Sequence, residues 1–159
     1  VFVCTAAALA FGLDKYVFGM HRARELASYV EKSNGVLIAA HPYRRQMPWF
    51  TRNEDEYSTA LEKASRNPAY EFCQALEELN GRGSDKENEF SRRLREMMEL
   101  PGTAGTDSHA ISDIGKCATY FEREISDVRE LIAELKANRF HSVDLRSGEP
   151  VPFTAAHGS

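Results

Sequence analysis

Apolar residues recur along the chain at two spacings, and these predict alternating helices and strands. A recurrence every three or four residues predicts the apolar face of a helix. Such helices are expected within residues 20–35, over about 53–66 and 85–99, and after Ser126, which we interpret as an N-cap. The four apolar faces are Ala23, Leu26, Ala27 and Val30; Tyr57, Ala60, Leu61 and Ala64; Phe90, Leu94, Met97 and Met98; and Val128, Leu131, Ile132 and Leu135.

Short runs of consecutive apolar or small residues predict the strands. The run VLIAA, residues 36–40, is typical of a strand that is buried on both faces. Strands alternating with helices favour a mainly parallel sheet with crossover helices, an α/β fold that is either open or part of a barrel. In such folds ligands bind at the carboxyl ends of the strands. The other expected strands are residues 1–11, 71–77, 102–106, 117–121 and 139–146.

Charge and cysteine content exclude several classes of protein. Lys and Arg number 20 against 24 Asp and Glu, a formal charge of −4. There is therefore no basic surplus that would indicate nucleic-acid binding, and no polybasic run that would indicate a membrane surface. Cys4, Cys73 and Cys117 form no CxxC pair and fit reduced thiols, so a cytoplasmic location is expected.

The apolar start of the chain, VFVCTAAALAF, allows two interpretations. It lacks the basic start of a signal peptide and is too short to cross a bilayer, so a buried strand is favoured over a targeting segment. The missing initiator Met also suggests a fragment whose upstream part is absent. An unpaired sheet edge would then favour self-association.

Polar side chains with metal-binding chemistry follow three of the predicted strands. His41 comes directly after VLIAA, Glu77 closes EFCQALE, and Asp107 and His109 follow GTAGT. In an extended segment residues i and i+2 project to the same side, so Asp107 and His109 are expected to reach one ion or two adjacent ions. Carboxylate and imidazole donors suit Zn, Mn or Fe. Taken singly, each could also be an ordinary structural or surface residue.

Three blocks of sequence carry a resemblance to a known family. GVLIAAHPYR, ALEELNGR and GTDSHAISDIGKCATYF occur in this order, and together they resemble the second half of a PHP domain. This is the polymerase and histidinol phosphatase superfamily of metal-dependent phosphoesterases. The resemblance covers roughly residues 8–145, which gives a PHP-like domain over 1–148 that lacks its N-terminal part, followed by a tail over 149–159.

The resemblance implies a fold and an activity. The fold is a partial, distorted (β/α)7-type barrel whose strand ends hold divalent ions, Mn, Zn or Fe. Those ions activate water for the hydrolysis of phosphomonoesters or nucleotide phosphodiesters. The partner would be a small phosphorylated substrate or a nucleotide, with no membrane or nucleic-acid partner. The candidate metal ligands are His41, Asp107, His109 and, in support, Glu77; the candidate contacts to the substrate phosphate are Arg44, Arg82 and Asn80.

The sequence also departs from the family pattern. No two histidines are separated by one residue, so the H-x-H that opens a complete PHP domain is absent. Ala6-Ala7 stand where related sequences carry Gly-His. Two further hypotheses therefore stay open beside a fragment of a phosphoesterase with an incomplete metal site. One is a PHP-like structural or binding module without catalysis, and the other is a plain α/β interaction domain without metal.

Overall fold

The computed structural model describes residues 2–3, 6–15, 22–48 and 53–152 of the 159-residue chain. Within these ranges strands and helices alternate along most of the chain. The strands are β1 Phe2–Val3, β2 Ala6–Phe11, β3 Val36–Ala40, β4 Ala75–Asn80, β5 Gly102–Gly105, β6 Cys117–Phe121, β7 Phe140–Asp144 and β8 Val151–Pro152. The helices are α1 Ala23–Lys32, α2 Glu54–Ser65, α3 Asp85–Met97 and α4 Val128–Lys136, with 3₁₀ turns at Tyr70–Phe72 and Ile111–Asp113.

The strands form two sheets. The first has the order β1-β2-β3-β4-β5, in which β3, β4 and β5 run parallel while β1/β2 and β2/β3 are antiparallel. The second, β6-β7-β8, is antiparallel throughout. The predicted mixed α/β fold is confirmed, and its parallel part is β3-β4-β5. Neither sheet closes on itself in the described ranges, so these do not confirm the expected barrel.

The first sheet is covered by helices on both faces. Along β3, Leu37 and Ala39 belong to clusters that include residues of α1 and of α2 and α3, while Val36 and Ile38 pack with α4. All five residues of β3 are buried, which confirms the prediction made from VLIAA. A parallel strand that is buried on both faces carries its polar groups at its ends. The end of β3 is therefore where chemistry is expected.

The caps explain where three of the helices begin. Asn53 accepts a hydrogen bond from the Glu56 amide at the start of α2, and Ser84 forms a capping box with Glu87 at the start of α3. The prediction of Ser126 as the cap of α4 is wrong. The Asp127 carboxylate accepts from two amides of the first turn, those of residues 129 and 130, at 2.8 and 2.9 Å.

Three other expectations fail in detail. The strand predicted at 71–77 begins only at Ala75, because Tyr70–Phe72 form a 3₁₀ turn anchored by the buried Tyr70 ring. Met97 and Val128 were predicted in apolar faces but are each 50% exposed. Met97 is the last residue of α3, where contact with the core passes to Met98, and Val128 is the first residue of α4. Both residues are exposed because they lie at the ends of their helices, where the apolar face no longer contacts the core.

Side chains join the two sheets where no backbone ladder does. The Thr119 hydroxyl of β6 bonds to both the amide and the carbonyl of Ala104 in β5, each at 2.9 Å. The Cys117 thiol donates to the Gly105 carbonyl at 3.1 Å, and the Ser142 hydroxyl of β7 donates to the buried Glu78 carboxylate of β4. We call these four bonds, made by three side chains, the side-chain joint.

None of the helices in the described part of the chain is both long and apolar enough to cross a membrane. The strand β8 pairs with β7 through Val143↔Pro152 and Asp144↔Val151. The second sheet thus continues beyond residue 148, into the segment that was predicted as a tail.

Candidate functional site

Parallel pairing brings the carboxyl ends of β3, β4 and β5 to one edge of the first sheet. His41 directly follows β3, and its amide donates to Glu77 Oε2 of β4 at 2.6 Å. Asp107 follows β5 by two residues, and its carboxylate pairs with the guanidinium of Arg44, which comes from the loop after β3. We call these four residues, His41, Arg44, Glu77 and Asp107, the strand-end cluster.

The backbone turns sharply at two members of the cluster. His41 has φ +31° and Asp107 has φ +50°, a left-handed region that few residues other than glycine adopt. The expectation that Asp107 and His109 lie in one extended segment is therefore wrong, because the strand ends at Gly105 and the backbone is left-handed at Asp107. Non-glycine residues in this region cluster at functional sites, where the surrounding structure holds them in place.

Glu77 lies inside β4 rather than at its end, and it is only 6% exposed. Its Oε2 accepts from the His41 amide and from Asn80 Nδ2, at 2.6 and 3.2 Å. Gly105 of β5 comes so close that a Cβ there would lie 2.5 Å from Glu77 Oε1. Burial raises the pKa of the Glu77 carboxyl to about 7, so this acid is half-protonated near neutral pH.

Arg44 is the cation nearest to the imidazole and carboxylates of the cluster. Its guanidinium carbon lies 5.9 Å from the centroid of the Tyr43 ring, and its backbone amide donates to the His41 carbonyl at 3.0 Å. Burial lowers the pKa of His41, and the positive charge of Arg44 lowers it further while Asp107 opposes this. His41 is therefore a neutral imidazole at physiological pH.

His109 takes a different position from the other candidate ligands. Its side chain is 62% exposed, and its Nδ1 lies 2.7 Å from the Asp107 backbone carbonyl and 4.0 Å from the Asp107 carboxylate. The His109 amide, in contrast, donates to Asp113. The structure thus places His109 beside the cluster, on its solvent side.

Asn80 is a buried turn organiser. Its Oδ1 accepts from the amides of Arg82 and Gly83, at 3.0 and 3.1 Å, and its Nδ2 donates to Glu77. Its own amide and carbonyl are bonded by the side chain of Asn88 in α3. Its side-chain groups are thus already paired within the protein, so a contact from Asn80 to a phosphate stays a prediction without structural support.

Arg82 leads to a residue that the sequence reasoning missed. Its Nη1 donates to Asp113 Oδ2 at 3.1 Å, and the same carboxylate accepts from Lys116 Nζ at 2.9 Å and from the amides of His109 and Ala110. The hydrogen bond from Lys116, aided by that from the His109 amide, holds the pKa of Asp113 well below its usual range. The spacing Asp113-x-x-Lys116 was the available signal, since residues three apart in a tight turn can pair.

Ala6-Ala7, where the sequence departs from the PHP pattern, lie at the same edge of the sheet. β2 is antiparallel to β3, and Ala7 pairs with Ala40, the residue before His41. A side chain with a donor group at this place in β2 would lie beside the strand-end cluster. Alanine supplies no such group.

The donors were tested for their fit to a divalent ion. Among residues 2–3, 6–15, 22–48 and 53–152, no three His, Cys, Asp or Glu side chains are arranged to hold a metal. Asp107 is committed to Arg44, Glu77 is committed to His41 and Asn80, and His109 is mostly exposed. The strand-end cluster as it stands does not fit a divalent ion, and the ligand roles of these residues stay predictions.

A known family matches the part of the chain that supplies the later residues of this site. Residues 85–140, from the start of α3 to the start of β7, match the PHP-associated family. The finding confirms the resemblance that the three sequence blocks indicated, and the PHP-associated segment contains Asp107, His109 and Asp113. No curated protein matches the chain in sequence.

Two solved structures align with most of the chain. PsfC from Pseudomonas syringae is 19% identical with a TM-score of 0.50, and the match covers 77% of this chain and 46% of PsfC. A Bifidobacterium adolescentis protein, named for a proposed metal-dependent phosphoesterase activity, is 15% identical with a TM-score of 0.38. That match covers 76% of this chain and 38% of the other. The chain thus spans less than half the length of either structure.

Proposed function

We propose that this chain is the C-terminal part of a PHP-type phosphoesterase and that its strand-end cluster forms one wall of the site. The activity of the complete unit would be divalent-metal-dependent hydrolysis of phosphomonoesters or nucleotide phosphodiesters. The observation that carries the proposal is the meeting of His41 and Asp107, which follow the parallel strands β3 and β5, with Glu77 of the intervening strand β4. The PHP-associated match over residues 85–140 supports it.

The chain's own side chains have distinct parts in this proposal. Arg44 is 41% exposed along its side chain, and its planar guanidinium can bond two oxygens of a phosphate. Asp113 holds Arg82, which lies at the same end of β4 and is equally exposed, in a fixed position. Both arginines would bind and orient the phosphoryl group. We derive no step through a metal, because the cluster by itself does not fit one.

The other expectations belong to the same proposal. His41, Asp107 and His109, supported by Glu77, would complete a metal site only together with donors from the rest of a PHP unit. A small phosphorylated substrate or nucleotide, a cytoplasmic location and self-association through a sheet edge are also proposed. The barrel would likewise need strands beyond the two sheets seen here.

A second candidate function is a PHP-like module that no longer catalyses. Two observations favour it: Arg44 neutralises Asp107, and Ala7 offers no donor at the edge of the site. Such a chain would keep the strand-end cluster as a fixed structural element or a binding surface.

Hydrolysis assays decide between the two functions. The full-length protein is assayed with p-nitrophenyl phosphate and with bis(p-nitrophenyl) phosphate. Each substrate is assayed once with Mn²⁺ and once with a chelator. The double variant Asp107→Ala/His109→Ala should lose the chelator-sensitive hydrolysis. Arg93→Gln serves as a control because Arg93 pairs with Glu54, on helices α3 and α2. Hydrolysis that is absent, or unchanged in the double variant, would refute the phosphoesterase proposal.

A further inference from the structure

Arg44 already supplies a positive charge to the strand-end cluster. Its guanidinium pairs with the Asp107 carboxylate. Glu77 lies beside the same turn, since its Oε2 accepts from the His41 amide.

The position of Arg44 is set by the turn that follows β3. The Arg44 amide bonds to the His41 carbonyl, and the guanidinium lies beside the ring of Tyr43, which is buried. The side chain is nevertheless 41% exposed, so the guanidinium can leave for solvent without unfolding the turn. Arg44 is held in the site by contacts that one side-chain rotation breaks.

A guanidinium and a divalent ion compete for the same carboxylate. Each neutralises Asp107, and two cations brought to one carboxylate repel each other. Arginine keeps its charge at every pH at which the protein is folded, so it cannot withdraw by losing a proton. Without Arg44 the Asp107 carboxylate has no positive partner in the cluster, and a carboxylate is a donor that suits divalent ions such as Mn²⁺.

We propose that Arg44 is a built-in cation that occupies the place of a divalent ion at Asp107 and keeps such ions out of the strand-end cluster until the guanidinium moves away. The proposal rests on the proposed function for the identity of the site. It explains why a set of donors with metal-binding chemistry does not fit a metal in this chain. Removing the Arg44 charge should therefore create a metal site, rather than damage one.

The test is a titration of the 159-residue chain with Mn²⁺, in which the electron paramagnetic resonance signal of free Mn²⁺ falls as the ion binds. Five proteins are compared: the wild type, Arg44→Gln, Arg44→Lys, Arg44→Gln/Asp107→Asn and Arg93→Gln. Arg93 is a matched control, since it also pairs with a carboxylate of another element and lies 5.0 Å from the centroid of a tyrosine ring. Circular dichroism of each variant verifies folding.

Arg44→Gln should bind Mn²⁺ at least about tenfold more tightly than the wild type, which corresponds to about 1.4 kcal/mol. The gain should vanish in the double variant, because Asp107 then lacks its charge. Arg44→Lys and Arg93→Gln should bind as weakly as the wild type. No gain in Arg44→Gln, or an equal gain in the double variant or in Arg93→Gln, overturns the proposal. Because no substrate is used, this result is independent of whether the complete unit hydrolyses phosphoesters.

Discussion

Glu77 and Asp113 are two buried carboxylates at the same end of the first sheet, yet their pKa values shift in opposite directions. Glu77 accepts hydrogen bonds from two uncharged donors, the His41 amide and the Asn80 side chain. Asp113 accepts from two backbone amides and, in addition, from the charged ends of Arg82 and Lys116. The main difference is that all donors to Glu77 are neutral, whereas two donors to Asp113 carry a positive charge.

The comparison shows that burial alone does not decide whether a carboxyl is ionised. At Glu77 the cost of removing a charge from water is the largest influence, and the one nearby cation, Arg44, is paired with Asp107. At Asp113 the hydrogen bond and the charge of Lys116, together with the two backbone amides, outweigh that cost and lower the pKa. The strand-end cluster is thus close to a change of charge at neutral pH, while the Asp113 turn stays charged and holds the loop before β6.

The largest expected effect comes from Glu77→Gln. The folded-state pKa of about 7 lies above the ordinary value of 4.5, so the native state binds the proton more tightly and the wild type loses stability as pH rises from 4.5 through 7. The amide of the variant cannot ionise and does not lose this stability. The free energy of unfolding of the variant minus that of the wild type should therefore rise by about 3 kcal/mol from acidic to alkaline pH.

Urea unfolding of both proteins, at about pH 4 and about pH 8, measures this difference. A difference between them that stays constant across the range would show that Glu77 titrates normally. The contrast with Asp113 would then be lost.

The next effect tests the close approach that keeps Glu77 dry. Gly105→Ala places a Cβ 2.5 Å from Glu77 Oε1, so the carboxylate or β5 must shift, and the protein should lose about 2 kcal/mol of stability. A double-mutant cycle with Glu77→Ala measures the coupling, because the shortened side chain removes the clash. Additive losses would mean that the carboxylate and Gly105 are not in contact.

The smallest effect concerns one of the two cations at Asp113. The pKa of Asp113 is lower in the folded than in the unfolded protein, where it is about 3.8. The ionised carboxylate therefore stabilises the fold at pH values above about 3.8, and this contribution is lost as the pH falls. Lys116→Met removes part of it, so the variant should be less stable at neutral pH, by less than Gly105→Ala. The deficit should shrink in acid, as followed by thermal unfolding. Lys86→Met, at an exposed position, is the control; an equal effect there would deny Lys116 its specific role.

Helices were predictable where local chemistry alone sets their limits. α3 begins at Asp85 as predicted and ends two residues before the expected Glu99, because the spacing of Phe90 and Leu94 and the Ser84 cap lie within the segment itself. The cap of α4 was misassigned by one residue. Serine and aspartate are both favourable N-cap residues, so the residue types at 126 and 127 do not decide between them; the structure has the extended backbone of the cap at Asp127.

The site was predictable only as far as the strands that lead to it. VLIAA placed His41 at a strand end, and GTAGT placed Asp107 after one. The left-handed backbone at Asp107 and its ion pair with Arg44, 63 residues away, depend on tertiary structure and have no local signature. Asp113 had a local signal in Lys116, three residues later, but its contact with Arg82, from the turn after β4, depends on tertiary structure.

The side-chain joint has a consequence for how accurately the two sheets are oriented. Backbone ladders are built from planar peptide groups, whereas the joint bonds through the rotatable hydroxyls of Thr119 and Ser142 and the thiol of Cys117. The polar links between the sheets therefore run through side-chain torsions, beside the apolar contact of Phe121 and Phe140 with the first sheet. β-branching restricts Thr119 to few rotamers, while serine and cysteine turn more freely. Thr119 is thus the least adaptable of the three polar links.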